Sequence, residues 1–138
     1  MSNICPSCQA SLDLTKIVVS RGNPRARFML IGEAPGARED AMGQPFVGRS
    51  GVVLDKLLES VGLSSVQDVF ICNVVKSRPP KNRRPTSDEL KACRPWLDLQ
   101  IEVVDPWVIA LAGSTALEAI LGIKGGITKL RGKWQYWR

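Results

Sequence analysis

The sequence predicts a three-layer α/β/α domain around a mostly parallel central sheet. Strand-like apolar runs at Phe28–Ile31, Val69–Val75 and Val108–Ala112 alternate with helical patterns, the order that yields parallel strands covered on both faces. The first and third runs empty through glycine into loops, the junction at which such sheets hold ligands. No repeat, low-complexity tract or linker interrupts the 138 residues, so 1–138 is read as a single domain.

Phe28-Met-Leu-Ile31 is a short apolar run of the kind that forms a buried strand. From Ser50 the period becomes helical, with Val53, Leu54, Leu57, Leu58 and Val61 on one face and Gly62 as the stop. Val69-Phe-Ile-Cys-Asn-Val-Val75 is rich in β-branched residues and forms the second strand. Thr86-Ser-Asp-Glu89 has capping-box spacing, in which hydroxyl and carboxylate satisfy the unpaired N–H groups of a helix start. Pro95 is expected to kink or divide that helix, and Pro106 to end the next helical stretch. Val108–Ala112 makes the third strand and leads through Gly113 into a helix over 114–121; no element is assigned from Lys124 onward.

Hydrophobic residues make up 44% of the chain, enough for a core, and no apolar run approaches the roughly 18 residues of a membrane span. Met1-Ser-Asn-Ile-Cys-Pro6 is not a basic segment leading into an apolar stretch, so a cytoplasmic protein without a secretory leader or membrane contact is expected, as a monomer. With Lys and Arg totalling 19 against 13 acids, the formal charge is +6. The cations gather at Lys76, Arg78, Lys81, Arg83 and Arg84, and again at Lys124, Lys129, Arg131, Lys133 and Arg138. Such a balance suits a polyanionic partner; a solvated basic face is the alternative.

Three loops at strand ends are candidate sites. Gly32-Glu33-Ala34-Pro35-Gly36 lets backbone approach a ligand closely, but no Gly-Lys-Ser/Thr and no Gly-x-Gly-x-x-Gly accompanies it, which argues against a nucleotide-phosphate loop. Lys76-Ser-Arg-Pro-Pro-Lys-Asn-Arg-Arg-Pro85 sets cations among prolines that pre-extend the chain, as phosphate contacts require. Leu111-Ala-Gly-Ser-Thr115 places backbone N–H groups at a helix start, which suits an anion or is a plain cap.

Gly32-Glu-Ala-Pro-Gly36, Glu39-Asp40, Gly43-x-Pro-Phe-Val-Gly-Arg49 and Gly51, followed by Cys72-Asn-Val-Val-Lys76, Arg78-Pro-Pro80, Asn82-Arg83 and Pro85, form two long motifs, with a cysteine inside the next helix. Together they resemble the family 4 uracil-DNA glycosylases, over about Cys5 to Gly132. The resemblance implies hydrolysis of the N-glycosidic bond of uracil in DNA, releasing the base and leaving an abasic site. A base inside a duplex must be flipped into a pocket before that bond can be reached.

By the same resemblance Gly32, Phe46 and Asn73 bind uracil. Phe46 supplies a stacking ring, with a core plug as its alternative. Asn73 supplies an amide that donates to O4 and accepts from N3–H, where cytosine presents the reverse pattern. An asparagine in an apolar strand is costly unless paired, which argues against a filler role. Glu33 and Glu39 are the carboxylates that could orient water or stabilise the sugar cation. Ala34 stands where other branches of the superfamily carry an aspartate, as expected for family 4. Asn82 matches a second asparagine that places water or phosphate, or shapes a Pro-rich turn. Lys76, Arg78, Arg83 and Arg84 are expected to bind DNA.

Two departures follow. The family carries, beyond the matched region, a histidine that contacts uracil and a loop that wedges into DNA; this sequence has no histidine, so a chain truncated at its C-terminus, or a naturally short homologue, is expected. The family also holds a [4Fe-4S] cluster on four cysteines. Cys5, Cys8 and Cys93 match ligands, whereas the third ligand position is Ser77 and the fourth cysteine, Cys72, lies in the middle of a strand where a small buried residue needs no metal. A cluster, zinc or no metal all remain open. Two other readings stand beside the enzyme: a binding module of the same fold without catalysis, and a metal-centred redox or scaffold protein using Cys5, Cys8 and Cys93.

Overall fold

The structure, a computed structural model, describes residues 17–137. Four strands form one sheet: β1 (Arg21–Gly22), β2 (Phe28–Gly32), β3 (Val69–Asn73) and β4 (Val108–Leu111). Their order is β1-β3-β2-β4, with β2 parallel to both β3 and β4 and the short β1 antiparallel on the outside of β3. The helices are α1 (Ala37–Met42), α2 (Arg49–Ser60), α3 (Ser87–Val104), α4 (Ser114–Leu121) and α5 (Ile127–Leu130), with a 3₁₀ turn at Pro80–Asn82.

The side-chain period of two sorts the strands into two faces. Met29 and Ile31 of β2 and Phe70 and Cys72 of β3 point to one side, where Cys93, Leu97 and Ile101 of α3 and Ala116 and Ile120 of α4 complete the main core. Leu30 of β2 and Val69 and Ile71 of β3 point to the other side, against Leu58 and Leu54 of α2. The result is the three-layer arrangement expected from the alternation of elements.

Two expectations are corrected and one unassigned segment is filled. Of the kink or division expected at Pro95, division does not occur: α3 runs unbroken from Ser87 to Val104. The carbonyl four residues earlier, which Pro95 leaves without an N–H, belongs to Lys91; both residues are exposed, so water can serve it. The apolar stripe of α2 is only half used, since Leu58 is buried but Val53 is 54% and Leu57 61% exposed. Leu54 and Leu58 share the line that meets the sheet, whereas Val53, Leu57 and Val61 lie one step round the helix. The segment beyond Lys124 contains the single turn α5.

The capping box forms as read: Glu89 N–H donates to Thr86 Oγ1 at 3.2 Å, and Thr86 N–H to Glu89 Oε1 at 2.8 Å. Among the described residues no helix is long and apolar enough to cross a membrane.

Candidate functional site

The carboxyl ends of the parallel strands lie together. Gly32 and Asn73 are register partners, and the pairing continues past the strands, Val74 N–H to Gly32 O at 2.8 Å and Val75 N–H to Glu33 O at 3.0 Å. On the other side Ala112 N–H donates to Ile31 O at 2.9 Å, which brings the β4–α4 loop alongside. There the Thr115 hydroxyl donates to Glu33 Oε2. The start of α4, read as an anion site or a cap, therefore meets a carboxylate of the chain itself.

Gly32, Phe46 and Asn73 converge. A Cβ at residue 32 would overlap the Phe46 ring at Cζ and stand 2.6 Å from Asn73 Oδ1, so the missing side chain is what leaves room for ring and amide together. Asn73 is 3% exposed, and its side-chain amide makes no hydrogen bond among the described residues. Neither polar atom is sealed from solvent without a partner. A buried amide left open in this way is unusual, because buried polar groups are normally paired. Phe46 is half-buried; it packs against the second core cluster as well as reaching Gly32, so it joins the core edge to the site.

Phe46 sits at φ +54°, a left-handed conformation that costs a non-glycine residue about 1–3 kcal/mol. Its surroundings hold it there. Arg21 donates from Nε to Pro45 O at 2.8 Å and from Nη2 to Phe46 O at 2.9 Å. Gly51 in the first turns of α2 lies against the Phe46 carbonyl, which any Cβ there would overlap. Glu39 accepts from three backbone N–H groups, Gly36 at 3.1 Å, Val47 at 2.9 Å and Gly48 at 2.6 Å. Charge-assisted bonds of this kind are roughly twice as strong as neutral ones, so Glu39 ties the start of α1 to the loop that carries Phe46.

The cations of the second loop are organised differently from the expectation. Lys76, read as a phosphate contact, is corrected: it is 1% exposed and its Nζ donates to Asn73 O and to Gln100 Oε1, each at 2.5 Å. Gln100 in turn donates to Val19 O at 3.0 Å, so Lys76 braces β3 against α3 and the chain ahead of β1. Arg83 grips Glu89 through two bonds of 2.6 and 3.1 Å. Burial pushes the Glu89 carboxyl up, but Arg83 and the Thr86 N–H and hydroxyl outweigh it and hold the carboxyl below its ordinary value. Glu89 raises Arg83 in return. Arg84 reaches Glu118 at 3.2 Å. Arg78 donates to Asn82 Oδ1 at 2.7 Å, and Lys81 and Asn82 take left-handed backbone at φ +53° and +57°, so Asn82 shapes the turn as well as standing exposed. Lys81 is exposed and forms no ion pair among the described residues.

Cys72 belongs to the main core, as its alternative reading as a small buried strand residue expects, and burial pushes its thiol up against the opposing pull of the Lys76 charge. Cys93 and Ser77 are also buried, on α3 and just beyond β3, whereas Cys5 and Cys8 lie outside the described residues. Among the described residues no group of three His, Cys, Asp or Glu side chains could hold a metal. The donor set matched to the cluster, three thiols and the Ser77 hydroxyl, is one thiolate short of the usual four.

Sequence reading missed Arg21, Asp55 and Gln100, and the Glu33 partner of Thr115, because these pairings span 24 to 82 residues and leave no local pattern. It also missed Arg38 and Arg49, exposed cations lining the shallow cleft between α1 and α2 beside Gly48; their position next to the Gly-rich motif was the available signal.

Comparison with known proteins gives the family. The family model described as the uracil DNA glycosylase superfamily matches residues 19–137. The chain is 48% identical over 129 residues to the type-4 uracil-DNA glycosylase of Thermotoga maritima, covering 93% of this chain and 67% of that protein. It is 42% identical over 139 residues to the type-4 uracil-DNA glycosylase of Sulfurisphaera tokodaii, covering 97% and 63%. To the type-5 uracil-DNA glycosylase of Thermus thermophilus it is 38% identical over 114 residues, covering 72% and 52%. The chain thus spans about two thirds of the length of these type-4 relatives. With a matched family model over most of its length and type-4 relatives above 40% identity, the chain belongs to the uracil-DNA glycosylase superfamily.

Proposed function

We propose that this chain is the base-binding and catalytic part of a glycosylase that hydrolyses the N-glycosidic bond of uracil in DNA, releasing uracil and leaving an abasic site. The observation that carries the reading is the open amide of Asn73 beside the Phe46 ring, in the room left by Gly32. A flipped uracil stacks on Phe46, donates N3–H to Asn73 Oδ1 and accepts from its Nδ2 at O4. Cytosine meets a donor where it presents a donor and an acceptor where it presents an acceptor, and is refused.

Glu33 is assigned the water or the sugar cation. Its Oε2 is held by Thr115, and its Oε1 makes no hydrogen bond among the described residues, which leaves it for a water. Glu39, occupied by three N–H groups, is assigned to shaping the loop. Asn82 places water or phosphate beside the turn it forms. Of the cations, Arg78 and Arg84 lie exposed or half-exposed at the strand ends, and Lys81, Arg38 and Arg49 join them in gripping DNA phosphates. The chain is taken to act as one domain, as a cytoplasmic monomer.

A [4Fe-4S] cluster belongs to the same reading, on Cys5, Cys8 and Cys93 with Ser77 at the third ligand position. When bound it would fasten the N-terminal cysteines to α3, and it supplies no step of the hydrolysis.

The test incubates the chain with uracil-containing DNA and its cytosine and thymine counterparts and scores abasic sites. Cleavage confined to uracil, lost in Asn73→Asp, is expected. Uracil binding without cleavage would replace the enzyme by a binding module of the same fold.

A further inference from the structure

We propose that Arg21 is a positioning residue for base stacking, holding the Phe46 ring over the site from the edge of the sheet. The inference rests on the reading of Phe46 as the stacking face. Its basis is a set of three hydrogen bonds from one guanidinium to two elements: Pro45 O at 2.8 Å, Phe46 O at 2.9 Å and Asp55 Oδ1 of α2 at 2.9 Å. The Arg21 side chain is 13% exposed and that of Asp55 40%, so the guanidinium is largely withdrawn from solvent while the carboxylate stays partly open to it.

The geometry requires arginine. Two carbonyls and a carboxylate are served by a planar fork with several fixed N–H directions, whereas a lysine brings one compact charge on a flexible stem. The position of the fork is set by β1, whose register pairs Arg21 with Ile71 and Gly22 with Phe70. Gly22 sits at φ +96°, and a Cβ there would overlap Val69 O, so only glycine lets the chain lie this close to β3.

The clamp works against strain. At φ +54° Phe46 occupies a conformation that a free loop would leave, and with its carbonyl released from Arg21 the ring would swing away from Gly32 and Asn73. Asp55 accepts from the same Nη2 that donates to Phe46 O, so it fixes that nitrogen and acts one step further out.

A double-mutant cycle separates this role from general support of the fold. Free uracil is titrated into the parent chain, Arg21→Ala, Phe46→Ala and the double variant, with thermal melting of each. Loss of base–aromatic stacking costs about 5- to 150-fold in affinity, so Arg21→Ala is expected to weaken uracil about tenfold. In the Phe46→Ala background the same change should add nothing. Arg21→Lys should recover part of the loss, and Asp55→Asn, which keeps both carbonyl contacts, should show a smaller one and serves if Arg21→Ala does not fold. Unchanged uracil affinity in folded Arg21→Ala, or an equal loss with and without the Phe46 ring, overturns the proposal while leaving Phe46 as the stacking face. Unchanged affinity in Phe46→Ala overturns the stacking reading itself.

Discussion

Gly32 and Asn73 stand level across the β2–β3 ladder, and the hydrogen bonds of that ladder continue beyond them through Val74 and Val75. Neither backbone can therefore retreat from a side chain placed at residue 32. A methyl group there would meet the Phe46 ring and stand 2.6 Å from Asn73 Oδ1. Gly32→Ala is expected to lower uracil excision about 10²-fold, the usual consequence of displacing aligned groups by about an ångström. Abasic-site formation measured beside the melting curve checks this, and parent-like excision would show that ring and amide are not the reading pair.

Acid should weaken the fold through Glu89. Its carboxyl lies below its ordinary value when folded, so it contributes stability that is fully present above the unfolded value of about 4.3 and is lost as pH falls through the folded one. Glu89→Gln should flatten the decline of melting temperature below about pH 5, whereas an unchanged slope would place the acid sensitivity elsewhere.

The ion pairs of the second loop divide the cations into two kinds. Lys81 and Arg49 are exposed without an ion pair among the described residues, while Arg83 is already spent on Glu89. Lys81→Gln and Arg49→Gln should each reduce the slope of log affinity for duplex DNA against log salt by about 0.9. Arg83→Gln should leave that slope nearly unchanged and lower the melting temperature instead. Should Arg83→Gln flatten the slope as much as Lys81→Gln does, Glu89 would have to release it on binding.

Iron content tests the cysteines. Cys72 lies in the core with its thiol pushed up, so Cys72→Val should leave iron per chain unchanged in anaerobically purified protein. Replacing Cys93 by alanine should abolish it, and Ser77→Cys should slow its loss to a chelator by completing four thiolates. Iron lost on Cys72→Val would move the cluster onto β3.

The parts of the fold that sequence reading found are those written locally. The alternation of Met29 and Ile31 with Leu30, and the spacing of Thr86 and Glu89, depend on neighbours within one turn or one pleat. Gly32, Phe46 and Asn73 were picked out by the resemblance of their motifs to the family, and the glycines around Phe46 and the apolar strand around Asn73 served only to argue against filler roles. Arg21 stands in neither motif; it looks like any surface cation until β1 lays it beside the loop 24 residues on. Lys76 misled for the same reason, since a lysine at the head of a basic loop reads as exposed, and only Gln100 on α3 shows where it is buried. Pro95, Val53 and Leu57 were misjudged because a helix has a wet side, and periodicity alone does not say where it begins.

The place of β2 in the middle of the sheet sets an order of assembly. Its partners β3 and β4 both lie far downstream, so the site is built from contacts of long sequence separation, the kind that close slowly. During synthesis the Asn73 amide can dock beside Gly32 as soon as β3 emerges, but Glu33 gains its Thr115 partner only after α4 follows. The amide and the carboxylate that share one end of the sheet are thus fastened by different parts of the chain, Asn73 by the β2–β3 ladder and Glu33 by the later α4, and neither is seated in a finished core until α3 and α4 have closed over the sheet.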